Sequence, residues 1–135
     1  MNVTQNGVHG KRLTWVNPAK STALRGEVWR IDLNPTRGAE MQKVRPVVVL
    51  SSDAIGRLPI KLVAPITGWE DGFANLIWHV RIEPDRLNGL TKISSVDVLQ
   101  TRGVDTARFT ERLGRVSTSV LEEILAALAA VVEYE

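Results

Sequence analysis

The sequence predicts one small, mainly β domain, an antiparallel curled sheet or small barrel closed by a C-terminal helix. Short apolar segments of β type recur between Arg25 and Arg102, separated by Asn-Pro, Gly-rich and Asp-containing turns with no helical stretch between them. A helical apolar stripe occurs only at the C-terminal end. A chain of 135 residues with 44% hydrophobic content also has the usual size of one domain, and such a chain buries roughly two-thirds of its unfolded surface.

The elements follow in order. "GEVWRIDL" (26–33) alternates Val28, Arg30 and Asp32 with Trp29, Ile31 and Leu33, the period-two mark of a half-buried strand, and ends at Asn34-Pro35. "RPVVVLSS" (45–52) is apolar on consecutive positions, so both its faces are expected to be covered, with Pro46 as its first residue. "PIKLVAPITG" (59–68) is the third strand. "NLIWHVRIEP" (75–84) is the fourth, with Leu76, Trp78, Val80 and Ile82 on one face, and "TKISSVDVLQTR" (91–102) the fifth. In "STSVLEEILAALAAVVEYE", Leu121, Ile124, Leu125, Leu128, Val131 and Val132 form one helical stripe. Ser117 or Ser119 caps it. Ser119 and Glu122 have capping-box spacing, and Glu122 and Glu123 are expected in the first turn, where the helix dipole favours negative charge.

Composition removes several function classes. With no cysteine there is no disulfide framework, thiolate nucleophile or Cys-based metal site, and a cytosolic location is the default. The N-terminus has no signal-peptide core, and no apolar run approaches the ~20 residues of a membrane-spanning helix. The charge is uneven. Residues 1–45 carry eight Lys or Arg against three acids, and the remainder nine against twelve, so the basic character belongs to the front of the chain. Residues 1–24, acid-free and aperiodic, are expected to be a mobile tail or extension, and residues 25–135 the folded domain.

Phosphate-binding loops, dinucleotide fingerprints and helical His/Glu metal motifs are absent, and there are only two histidines. His9 lies in the tail; His79, on the fourth strand opposite Trp78, is either an acid–base group or structural. The loop "NPTRGAEMQKV" (34–44) is long and polar, with Arg37, Glu40, Gln42 and Lys43. Arg45 follows at once. A guanidinium stiffened by Pro46 and an apolar strand either solvates a strand end or serves phosphoryl chemistry, which its fork geometry suits. The loop "TGWEDGFAN" (67–75) offers Trp69 and Phe73, which either stack on unpaired bases or cover the barrel end, and Glu70 and Asp71, which suit base amino groups.

"RGEVWRIDLNPTRGAEMQKVRPVVVLSSD", "VAPIT" and "SSVDVLQTRGVD", in this order and spacing, resemble the MazF/PemK toxins, ribosome-independent mRNA interferases of toxin–antitoxin pairs. The resemblance runs from about Arg25 to the C-terminus. It rests on "RGEVW", Gly38 followed by Glu40, the Arg-Pro pair before an aliphatic strand, the Thr ending the third strand, and the Gln-x-Arg of the fifth. It implies an SH3-like barrel with a C-terminal helix, a homodimer, and sequence-specific cleavage of single-stranded RNA without a metal or other cofactor.

By the same resemblance the catalytic residues are Arg45 and Thr67. Gln100 matches the glutamine near the scissile phosphate and Glu40 the loop glutamate; Arg37, Gln42, Lys43 and Trp69 complete the expected RNA-binding set. Ala39 and Met41 depart from the Ser and Gln common in the family at those positions, and Gln42 is the substitute on offer. The resemblance also implies an antitoxin partner whose acidic, apolar tail competes with phosphates for Arg37, Lys43 and Arg45. The CcdB toxins, which poison DNA gyrase, share the fold, but their aromatic-glycine-aliphatic tail is not matched by "VVEYE". A non-catalytic RNA-binding module is the other alternative, separated by cleavage of RNA in EDTA beside the Arg45→Ala protein.

Overall fold

The computed structural model describes residues 23–33, 44–55 and 58–134. Its strands are β1 (Glu27–Asp32), β2 (Val44–Val49), β3 (Ile60–Gly68), β4 (His79–Ile82), β5 (Ser94–Asp97), β6 (Arg102–Asp105) and β7 (Phe109–Arg115), followed by helix α1 (Thr118–Val131). All the strand pairs are antiparallel. The sheet runs β4-β5-β3-β2-β1-β7, with β6 beside β3. The expected class, mainly β with a C-terminal helix, is the one that forms, as an open path whose end strands β4 and β7 do not pair.

Two apolar clusters sandwich the sheet. The four aliphatics at 47–50 show why: Val48 and Leu50 join Val28, Ala64, Ile66, Val80, Ile82 and Val96 beneath α1. Val47 and Val49 join Ile31, Leu33, Val63, Val104 and Phe109 on the opposite face. Both faces of β2 are therefore covered, as its unbroken apolar run requires. Pro46 is the third residue of β2, not its first, and lies opposite Arg30. It is tolerated because the β2–β3 ladder begins only at Val47, so Pro46 borders a free edge on that side. Lys61 on β3 is only 3% exposed; burial pushes its pKa down against the pull of Asp53.

Three expectations are corrected. The fourth strand is shorter than 75–84, because Asp71–Asn75 forms a 3₁₀ turn and the amides of Leu76 and His79 bond back to the carbonyls of Phe73 and Leu76. The fifth segment divides: the Asp97 carboxylate accepts the Leu99 N–H at 3.1 Å and bends Val98–Gln100 into a 3₁₀ turn between β5 and β6. β7 was not expected. Its "FTERLGR" is charged and mostly exposed, and it joins β1 with two register shifts.

Ser117 is the N-cap of α1, its hydroxyl accepting the Val120 N–H at 3.2 Å. Ser119 therefore lies inside the helix, and no acid stands in the first turn. Leu121 and Ile124 are buried and Leu125, Leu128 and Val131 pack partly against the sheet, while Val132, at the C-cap, is 63% exposed. Burying a side chain such as Ile124 contributes about 1.5–3 kcal/mol.

The loop after β4 fastens onto β7. Asn88, 1% exposed, donates from Nδ2 to the Glu83 carbonyl at 2.9 Å and accepts the Leu90 N–H on Oδ1 at 3.0 Å. Asp85 accepts the Leu87 and Asn88 N–H groups, each at 2.8 Å. The Leu87 carbonyl in turn accepts the Arg115 N–H at 2.9 Å. Gly114 lets the two backbones meet, since a Cβ there would lie 2.0 Å from the Leu87 oxygen. Gly114→Ala is expected to lower the unfolding free energy by about 2–3 kcal/mol in urea denaturation. Gly72→Ala, with nothing within 4 Å of the new methyl, should change it by less than about 0.5 kcal/mol.

Candidate active site

Strand register sets the site. Cross-strand partners share a sheet face, and Arg45 pairs with Ile31 while Thr67 pairs with Ser95, which pairs on its other side with Arg81. Val47 faces Pro65 and Val49 faces Val63. Thr67, Ser95 and Arg81 thus form one lateral row across β3, β5 and β4 on the face turned away from α1. Arg45, beside Ile31 on β2, lies on the same face, two residues before the first β2–β3 pair. Arg45 and Thr67 are both half-buried.

The row continues diagonally into a polar and aromatic group. His79 pairs with Asp97 across β4 and β5, and its Nδ1 lies 2.8 Å from Ser95 Oγ. Ser95 is 0% exposed and Asp97 9%. Gln100 donates from Nε2 to the Asp97 carboxylate at 3.3 Å, so the 3₁₀ turn after β5 holds its side chain against the same row. The Phe73 ring lies parallel to the His79 ring at 3.7 Å and meets Trp69 edge-on at 5.7 Å. The Arg81 guanidinium sits 5.8 Å from the centre of the Trp69 ring.

Of the residues singled out from sequence, Thr67 lies in the row and Arg45 shares its sheet face. Gln100 reaches the row through Asp97, and Trp69 stands beyond the end of β3 in the aromatic group. Arg37, Glu40, Gln42 and Lys43 lie outside the described residues. Among the described residues no cluster of His, Asp and Glu has the makings of a metal site, and no helix is long and apolar enough to cross a membrane. Ser95 and Asp97 escaped the sequence reading. Their signal was polar residues inside a segment where every position from Ser94 to Asp97 is buried, and burial cannot be read from "SSVD".

A family model described as PemK-like, MazF-like toxin of type II toxin–antitoxin system matches residues 24–132. The chain belongs to this family. A relative from Staphylococcus saprophyticus, Endoribonuclease MazF, is 35% identical over 101 residues, which span 74% of this chain and 82% of the relative. Among solved structures, MazF (Form-I) from Deinococcus radiodurans superposes with a TM-score of 0.65 at 22% identity, over 82% of this chain and 96% of that one. The MazE-MazF complex (Form-II) from the same organism gives 0.67 at 24% identity, over 84% and 98%. At these identities the structures establish the shared fold.

Asp97 is the joint of the site, tying Gln100 to the row and starting the 3₁₀ turn. Asp97→Ala is expected to lower stability by about 0.5–2 kcal/mol, the usual loss for such a cap, in denaturant titration. The Gln100 side-chain amide signal should at the same time shift in the ¹⁵N spectrum.

Proposed function

We propose that this endoribonuclease cleaves single-stranded RNA by attack of a ribose 2′-hydroxyl on the adjacent phosphorus, with no metal ion. The 2′-hydroxyl gives up its proton as the O2′–P bond forms, and the P–O5′ bond breaks, leaving a 2′,3′-cyclic phosphate and a 5′-oxygen that takes up a proton to become a hydroxyl. The observation that best supports this reading is that Arg45 and Thr67 lie on one sheet face of the neighbouring strands β2 and β3, each two residues beyond the last pair of their ladder. The intermediate is a dianionic phosphorane, and a permanent cation beside a hydroxyl donor acts where that charge develops. A guanidinium of pKa above about 12 is a poor proton donor in water, so the task of Arg45 is electrostatic and geometric. Because the nucleophile belongs to the substrate, DNA is not cut.

RNA binding uses the polar loop at Arg37, Glu40, Gln42 and Lys43, the Gln100 amide, and Trp69, on which an unstacked base would gain about 1–3 kcal/mol. The toxin acts on cytoplasmic mRNA, which arrests translation and growth. Its antitoxin offers an acidic, apolar segment that competes with phosphates for Arg37, Lys43 and Arg45; proteins of the same fold include an endoribonuclease in complex with its cognate antitoxin and a MazE-MazF complex. The active form is a homodimer. Its apolar surface includes Ile55, Leu58, Ile60 and Leu62, which are 40%, 54%, 56% and 39% exposed in the single chain.

Cleavage of a mixed-sequence single-stranded RNA should proceed undiminished in EDTA, and Arg45→Ala should slow it by about 10²- to 10³-fold. Equal cleavage by both proteins, or loss of wild-type cleavage in EDTA, would remove this mechanism. Light scattering at micromolar protein is expected to give twice the chain mass, and Leu62→Glu a shift toward the single-chain mass.

A further inference from the structure

We infer that His79 and Ser95 are positioning residues for Thr67: the imidazole holds the buried serine hydroxyl, and the serine fixes the place of the threonine beside it. The inference rests on the role given to Thr67 above. Ser95 lies between Thr67 on β3 and Arg81 on β4, in register with both. Its hydroxyl is 0% exposed, so it needs a hydrogen-bond partner inside the protein, and His79 Nδ1 stands 2.8 Å away.

The imidazole is itself held on several sides. Phe73 lies parallel to it at 3.7 Å with an interplanar angle of 3°, Asp97 faces it across the strand pair, and the Trp78 ring is tilted against it at 6.2 Å. Whichever atom carries the proton, this bond sets the rotamer of Ser95, whose Cβ lies about 4.5–5.5 Å from that of its cross-strand partner Thr67.

Stability alone does not explain the pair. The opposite side of the same strands is filled by Ile66, Val80, Ile82 and Val96, and a buried polar pair replaced on both sides by apolar groups of similar shape is often neutral or stabilising. A serine and a histidine locked together beside Thr67 give the threonine hydroxyl one place to stand. Positioning of this kind matters because a 1 Å error at a reacting group can slow the reaction by about 10²-fold.

The test compares wild type, His79→Phe, His79→Asn, Ser95→Ala and the His79→Phe/Ser95→Ala double variant on mixed-sequence single-stranded RNA under single-turnover conditions. His79→Phe keeps a ring against Phe73 but loses the hydrogen bond; His79→Asn places an amide where Nδ1 was. His79→Phe and Ser95→Ala are each expected to reduce the saturating rate by about 10- to 100-fold, with the half-saturating concentration changed by less than about twofold. The double variant should be no slower than either single one, should melt at or above the wild-type temperature, and His79→Asn should recover most of the rate.

A wild-type rate in His79→Phe, losses that multiply in the double variant, or a change confined to half-saturation would each overturn the inference. A second readout needs no cleavage: in ¹³C-methyl spectra of threonine-labelled protein, the Thr67 methyl signal should move in both single variants. An unmoved signal would overturn the inference whether or not RNA is cut. Inactivity of the wild type with a moved Thr67 signal would instead overturn the nuclease reading and leave the positioning pair standing.

Discussion

The structure depends on the register of β3. This strand pairs with β2 along one edge and with β6 and then β5 along the other, and it feeds Ala64 and Ile66 to one apolar cluster and Val63 to the other. A slip of one residue would exchange the two faces and drive buried aliphatics into the wrong layer. The hydrophobic packing therefore fixes which residue stands beside which. The lateral order from Thr67 through Ser95 to Arg81, and the place of Arg45 on the same face, are inherited from that packing, and no polar contact is needed to establish them.

This division of labour suits the proposed chemistry. Its groups sit on strands, and β5, which carries Ser95, is held by ladders on both sides, so little reorganisation is left for the moment of reaction. They also border an apolar cluster, where charge interacts more strongly than in water. Trp69 and Phe73, beyond the end of β3, are attached to this frame at its rim, where sequence can change without disturbing the register.

Much of this was legible beforehand, for physical reasons. The unbroken run at Val47–Leu50 could only be a strand covered on both faces, and the stripe from Leu121 to Val131 could only be a helix lying on a sheet. Arg45 and Thr67 stand at strand ends that such patterning locates. β7 was hidden because charge at Glu111, Arg112 and Arg115 reads as loop when only one face of a strand is buried. The break at Asp97 was hidden because a side-chain-to-backbone hydrogen bond overrides the β tendency of the flanking residues. Ser95 was hidden for a third reason: alternating polar residues such as Ser95 and Asp97 normally mark a solvent face, and here they are buried. Pro46 looked like a strand boundary because the sequence does not tell where the neighbouring ladder starts.

The attachment of the post-β4 loop to β7 bears on how wide the molecule opens. The outermost strands of the sheet are joined by a clasp of turn residues, Asp85, Leu87 and Asn88, meeting the backbone at Gly114 and Arg115, and not by a ladder of their own. The curl of the sheet is thereby set at one small hinge point outside the strands. β4 leads directly into that clasp, so the strand that carries His79 and Arg81 is anchored to β7 as well as to its ladder partner β5.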